Sequence, residues 1–392
     1  MDAARESPSG AWIVPTVSAR SVLASAPGGL IDLRSPGEFA ADHLPGAFNA
    51  PLFDDVERAL IGTLYRRESP QRAFEEGRRA TEDRIADLAE ELSCALGRPL
   101  GAEDPVAWVR TLSAGGLEGM TRAIAPRPVP PGENPAGVLY CWRGGLRSLS
   151  VVAFCREALG WRDVCALEGG YKAYRARVLE ELETWSAPRT VVLRGWTGVG
   201  KTLVLRELER LRPGATLDLE ACAGHRSSVL GMVGLEPCSQ RSFDSRVAGR
   251  LREGPPPVLV VEGESRKVGD VIIPGRVWAA MQGGENVLLT ADLERRKDVL
   301  VEEYLASPTS RGELRERLGF IEGRLGAKKW DGALVALLDS GRERELVEVL
   351  LERYYDPLYR HSETGRAVTF ELDATDPARA AAELADWTDG RG

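Results

Sequence analysis

The stretch that most limits how this chain can fold is Gly195-Trp196-Thr197-Gly198-Val199-Gly200-Lys201-Thr202, a full G-x-x-x-x-G-K-[ST] pattern. Before it stands Thr190-Val191-Val192-Leu193, which reads as a buried strand; after it comes a helical pattern with Val204, Leu205, Leu208 and Leu211 on one side. Strand, glycine-rich loop and helix in that order make a phosphate-binding loop. The glycines let backbone N–H groups wrap a phosphate, the lysine reaches its outer oxygens, and the threonine hydroxyl ligates magnesium. Gly195, Gly198, Gly200, Lys201 and Thr202 are therefore the expected phosphate-binding residues, with Thr202 an expected Mg2+ ligand. The pattern leaves open which phosphate compound binds.

The residues beyond the loop read as more of the same parallel sheet. Thr216-Leu217-Asp218-Leu219-Glu220 ends a second strand candidate with two carboxylates, and His225 and Arg226 follow closely. Pro257 to Val261 is a third strand that delivers Glu262, Glu264, Arg266 and Lys267 to its C-terminal end, the edge where open parallel sheets bind ligands. Glu262 stands where a Walker-B acid would hold magnesium through water. Asn286 to Thr290 gives a fourth strand, and the helix pattern Leu293 to Tyr304 carries Arg295 and Arg296, placed as lid arginines that close on phosphates often are. The C-terminal third reads as largely helical, interrupted by the aromatic cluster Tyr354-Tyr355-Asp356-Pro357-Leu358-Tyr359.

The first half has its own chemical centre. Cys141 follows the apolar run Val138-Leu139-Tyr140 and opens the loop Cys141-Trp142-Arg143-Gly144-Gly145-Leu146-Arg147-Ser148, after which a helix runs to about Leu159. A cysteine at a strand end, facing loop amides and a helix N-terminus, with Arg143 and Arg147 nearby, favours thiolate over thiol. Cys141, Arg143, Gly144, Gly145 and Arg147 are the expected catalytic group. The other five cysteines lie in runs without flanking arginines and glycines and read as structural.

Alternation of strands and helices predicts an α/β protein of two domains. A first α/β domain spans 1–180 with a helical insertion at about 54–130, a linker covers 181–189, and a phosphate-loop domain with a helical C-terminal part covers 190–392. Ser35-Pro36-Gly37-Glu38 reads as a helix start with a capping box, Ala125 to Gly132 as a proline-rich loop, and the insertion as chemically silent. No pair of cysteines has C-x-x-C spacing, and none is spaced for zinc with His43, His225 and His361. Residues 1–10 are polar and no apolar run is long enough to span a membrane, so a cytoplasmic protein is expected. The net charge of -8 gives no global nucleic-acid signature, which leaves a local basic path as the means of binding one.

Asp32-Leu33-Arg34-Ser35-Pro36 with Glu38-Phe39, His43-Leu44-Pro45-Gly46-Ala47, the Cys141 loop and Leu167-Glu168-Gly169-Gly170-Tyr171 together resemble a rhodanese domain. A rhodanese-like domain followed by a P-loop NTPase-like domain resembles the bacterial tRNA 2-selenouridine synthases. Gly62-Thr63-Leu64-Tyr65, Glu264-Ser265-Arg266-Lys267 and Tyr355-Asp356-Pro357-Leu358-Tyr359 carry the resemblance further. Ser227 stands where that family is expected to have glycine. The resemblance implies replacement of sulfur by selenium in wobble 2-thiouridine of tRNA, by S-geranylation from geranyl diphosphate and then selenation from selenophosphate, with a selenophosphate-producing enzyme as a partner. It implies that Cys141 carries selenium as a selenylsulfide and that the phosphate loop grips a diphosphate with magnesium. Arg143, Arg147, Lys172, Arg175, Arg177, Arg266 and Lys267 are the expected basic path for tRNA. The phosphate loop alone fits equally well an ATP-dependent kinase or NTPase with a sulfur-transferring or sulfur-sensing rhodanese-like domain.

Overall fold

The computed structural model describes residues 11–25, 28–101, 104–130, 133–253, 256–305, 309–359 and 367–390. The chain forms two compact units, Met1–Glu180 and Glu181–Gly392. Helix Gly170–Thr184 carries it from one into the other.

In the first unit the strands β1 (Trp12–Val17), β2 (Leu30–Asp32), β3 (Ala47–Asn49), β4 (Ile124–Pro128), β5 (Gly137–Tyr140) and β6 (Val164–Leu167) form one sheet. Their order is β3-β2-β5-β6-β1-β4, and every pairing is parallel. All four residues of β5 and of β6 are buried, which is why both strands are continuous apolar runs rather than alternating ones. Strand β4 lies in the proline-rich stretch that reads as a loop. Pro126 pairs opposite Val14 there because β4 is an edge strand, the one place in a sheet where a missing N–H costs little.

The insertion is made of helices Asp55–Arg67, Pro70–Leu96, Pro105–Ser113 and Gly116–Ala123. Their starts are chemically marked. Asp54 and Glu57 form a reciprocal capping box, while Ser69 and Asp104 cap helices that begin with proline. Ile85, Leu88 and Leu92 of the long helix join Ile31, Leu139, Val151 and Phe154 in a single apolar core. At Pro36–Ala41 the expected capping box does not form. Ser35 makes no side-chain cap; the Asp55 carboxylate instead accepts from the Gly37 amide at 3.1 Å, and Glu38 pairs with Arg58 at 2.6 Å. The insertion thus takes over the capping of a helix outside it.

In the second unit β7 (Arg189–Arg194), β8 (Thr216–Leu217), β9 (Val258–Glu262), a hairpin of β10 (Lys267–Val268) and β11 (Val271–Ile272), β12 (Glu285–Thr290) and β13 (Val368–Asp373) follow in turn. Five of them make a parallel sheet in the order β13-β12-β7-β9-β8, with the phosphate loop leaving its central strand. Strand β13 is absent from the sequence reading, which has this third as largely helical. Helices 310–330, 333–339 and 343–350 pack into a second core around Leu318, Leu334 and Leu350, and Tyr354 and Tyr355 are buried in it.

Candidate functional site

Cys141 sits at the end of β5, just before helix Leu146–Glu157, and is only 2% exposed. Its Sγ lies 3.3 Å from the Ser148 hydroxyl. Burial by itself would push this thiol up. The charge of Arg147, the Ser148 hydroxyl and the amides of Arg143 and Ser148 outweigh burial and hold it below the ordinary thiol value. Arg143 therefore acts on the sulfur through its backbone amide. The contrast with the structural cysteines is plain: burial drives Cys165 and Cys222 up to about 12 and Cys155 higher still. Among the described residues neither the exposed Arg143 nor the half-buried Arg147 is ion-paired to a carboxylate, so both charges are available to an anion.

The rhodanese-like motifs act as the mould for this loop. Tyr171 and Lys172 donate backbone N–H groups to the carbonyls of Cys141 and Trp142 at 2.9 and 3.0 Å. A Cβ on Gly170 would stand 2.2 Å from the Cys141 carbonyl oxygen, so only glycine lets the two segments approach this closely. Beneath them, Arg34 is 1% exposed and forks onto Asp32 with contacts of 2.5 to 3.0 Å. It also donates to the Asp42 carbonyl at 2.6 Å and lies 3.8 Å from the Tyr171 ring centre. The Tyr171 hydroxyl closes the network on the Asp42 carboxylate at 2.8 Å.

Above Cys141 opens a cavity of about 680 Å³ whose other walls come from the insertion, including Phe53, Ile61, Phe74, Leu112 and Met120. The insertion, read from sequence as chemically silent, is thus part of the site; its one signal was the Gly62-Thr63-Leu64-Tyr65 stretch, of which Gly62 and Tyr65 line the cavity.

In the second unit Gly195, Gly198 and Gly200 all have positive φ, and a Cβ on Gly198 would stand 2.8 Å from the Arg296 carbonyl. Lys201 donates to the Gly195 carbonyl at 3.0 Å across the loop. Strand β8 stops at Leu217, so Glu220 stands in the first turn of helix Leu219–Ala223 rather than at a strand end, and its carboxylate oxygens lie within 4.8 Å of those of Glu262 and Glu264 at the end of β9. Glu262 is fully buried, and among the described residues neither of its oxygens has a donor with hydrogen-bond geometry. Burial and the neighbouring charges of Asp218 and Glu264 push its carboxyl well up, partly countered by Thr202 and Lys201. Glu220 is pushed up likewise, by burial and then by Glu262 and Glu264. Three clustered carboxylates, one of them fully buried, are the kind of oxygen donors that suit a hard cation.

The remaining sequence candidates divide. Asp218 caps helix Leu219–Ala223 by accepting from Ala221 at 2.7 Å, and its charge reaches Glu262. Arg296 is buried, donates to the Thr197 carbonyl at 2.9 Å and pairs with Asp356 at 2.6 Å, so it braces the phosphate loop from behind. Arg226 is tied to the carbonyls of Val233 and Glu303 and stacks on Tyr304. His225 packs against Gly231 and Gly269, and burial lowers its pKa. Arg266 lies over Trp278, and Lys267 pairs with Asp270 on the hairpin. On the first unit Arg177 pairs with Glu180, while Lys172 is exposed.

The chain matches the family model described as the tRNA 2-selenouridine synthase AAA domain over residues 188–386. Over 92% of its length it is 32% identical to the tRNA 2-selenouridine synthase of Pseudomonas syringae pv. syringae, covering 95% of that protein. It is 31% identical to that of Cupriavidus pinatubonensis over 91% of this chain and 93% of the relative. The chain belongs to the tRNA 2-selenouridine synthases.

As a member of that family it is an enzyme, a transferase with a rhodanese-like and a P-loop unit. Arg34, Tyr171 and Asp356 stand in the stretches that carry the resemblance, but what they contact does not show there: Asp42 as the link between Arg34 and Tyr171, Asp356 as the partner of Arg296, and the cavity over Cys141. Among the described residues no helix is long and apolar enough to cross a membrane.

Proposed function

We propose that this chain converts wobble 2-thiouridine of tRNA to 2-selenouridine through two displacements, in the cytoplasm. In the first, the thiocarbonyl sulfur attacks the allylic carbon of geranyl diphosphate; the carbon–oxygen bond breaks, diphosphate leaves with the bonding pair, and the base loses a proton. Lys201 and the loop amides bind the diphosphate, and Arg296 fixes the loop that presents them. The oxygen donors of Thr202, Glu220, Glu262 and Glu264 suit Mg2+, which would neutralise charge on the diphosphate.

In the second displacement water splits selenophosphate into phosphate and selenide; the selenide attacks the Cys141 sulfur of a mixed disulfide with a small-molecule thiol, displaces the thiolate and forms the selenylsulfide, whose terminal selenium then attacks C2 of the base. The C2–S bond breaks and geranylthiolate leaves with the electron pair, taking a proton. The small-molecule thiol then attacks the Cys141 sulfur, frees the selenouridine as its selenolate and restores the mixed disulfide for the next cycle. S-alkylation makes sense of the order, because an alkylated sulfur leaves far more readily than a thiocarbonyl sulfur.

The observation that carries this reading is Cys141: a buried sulfur whose surroundings lower its pKa, beside Arg143 and Arg147, neither of which is ion-paired among the described residues. Those charges fit both a selenium anion and the tRNA backbone. The test is to incubate the protein with 2-thiouridine tRNA, geranyl diphosphate, selenophosphate, Mg2+ and a thiol with its disulfide, and to weigh the nucleosides. Geranylthiouridine followed by selenouridine is expected; 2-thiouridine returned unchanged from tRNA-bound protein would overturn the reading.

A further inference from the structure

We propose that the cavity over Cys141 is the seat of the geranyl chain of S-geranyl-2-thiouridine tRNA during selenation. This deepens the selenation reading and rests on it for the identity of the chain. The cavity, of about 680 Å³, falls within the range of roughly 300–1,000 Å³ typical of small-molecule sites. Packed interiors leave few voids larger than a water molecule, so an apolar hollow of this size beside a reactive sulfur is built for an occupant.

The walls specify what that occupant is like. Phe53, Val109 and Leu112 are buried on the lining, and Ile61, Phe74 and Met120 complete an aliphatic and aromatic surface. Apolar surface predominates on the lining over polar groups such as Arg78, Thr81, Ser113 and Ser150, so a branched hydrocarbon would shed its contact with water there. Cys141, Arg143 and Arg147 lie on the same lining, and the exposed Tyr65, Arg58 and Arg66 stand at the rim. One cavity therefore joins an apolar wall, a selenium-bearing sulfur and cationic groups. Only one species of the proposed reaction has matching parts in that arrangement: an alkyl chain on sulfur, an electrophilic C2 one bond away, and a polyanionic backbone outside.

Seating the chain places C2 at Cys141 and leaves the departing geranylthiolate in the apolar space. It also gives the selenation step a way to tell modified from unmodified tRNA, since 2-thiouridine lacks the group the cavity takes. The insertion then supplies the specificity of the second step, while the rhodanese-like sheet supplies the sulfur.

Two substitutions read the cavity from opposite sides. Gly77 lines it, and an added Cβ meets Phe53 and Ile61 only at 3.4 and 3.7 Å, so Gly77→Phe enters the hollow without a backbone clash. Phe74→Ala enlarges the same wall. Binding and selenation would be measured on full-length protein with anticodon stem-loops carrying S-methyl, S-dimethylallyl, S-geranyl and S-farnesyl 2-thiouridine. Wild type should bind the geranyl probe about tenfold or more tighter than the methyl probe. Gly77→Phe should erase most of that preference, and Phe74→Ala should extend it to farnesyl. Thermal melts establish that both variants are folded, and either folded variant alone suffices for the comparison. Equal wild-type binding of methyl and geranyl probes, or wild-type chain-length preference in the folded variants, would overturn the proposal. Failure of wild type to selenate a bound S-geranyl probe would instead overturn the reaction while the binding series still decides the cavity.

Discussion

Replacing Arg34 by methionine should destabilise the first unit by about 3–5 kcal/mol, a large part of the roughly 5–15 kcal/mol that keeps a domain folded. The magnitude follows from burial. Asp32 is 0% and Arg34 1% exposed, so water cannot solvate the carboxylate once its fork is gone. The same change removes the donor to the Asp42 carbonyl and the guanidinium from the Tyr171 face, a desolvated contact of about 2 kcal/mol or more, while the buried methionine returns part of the loss. Urea unfolding of the full chain, followed by tryptophan fluorescence and far-ultraviolet circular dichroism, measures the effect. Adding Asp32→Asn should make the double variant lose clearly less than the sum of the singles, because the stranded charge is then removed as well. A loss below about 1 kcal/mol for Arg34→Met, or strict additivity, would refute the view that this network is the mould of the Cys141 loop.

Other consequences concern single positions. Because thiolate is the reactive form and Arg147 helps hold Cys141 below the ordinary thiol value, iodoacetamide labelling of Cys141 should level off at a lower pH than for a free thiol. Arg147→Met should move that midpoint upward; an unmoved midpoint would mean that the loop amides and Ser148 suffice. Ser227 is the one described non-glycine residue with positive φ, at 47°, and its hydroxyl is buried without a partner. Ser227→Gly should therefore raise stability by about 1 kcal/mol, or roughly 2–4 °C in Tm for a unit of this size; a lowered Tm would count against strain there.

The fold was legible where one interaction dominates its own short stretch. The phosphate loop needs its spacing, the Cys141 loop its glycines, and β5, β6 and β9 their apolar runs, and each appears in sequence as such. What escaped depends on partners distant in the chain. Strand β13 alternates polar and apolar residues as an edge strand should, yet it stands among helices and finds its place only beside β12. Strand β4 hides behind its prolines because edge position, not composition, makes them acceptable. Ser35 looks like a cap and loses that task to Asp55, eighteen residues beyond Gly37, whose amide it engages. The cavity is the extreme case: its apolar walls come from several helices, and each residue alone is indistinguishable from a core residue.

The division of labour between the two units is the central claim, and the nucleoside assay on two variants tests it most directly. With 2-thiouridine tRNA, geranyl diphosphate, selenophosphate, Mg2+ and the thiol with its disulfide, Cys141→Ala should accumulate geranylthiouridine and make no selenouridine. Lys201→Ala should leave 2-thiouridine largely unconverted, yet should selenate tRNA that is supplied already geranylated. Full selenation by the Cys141 variant, or unimpaired geranyl transfer by the Lys201 variant, would contradict the account.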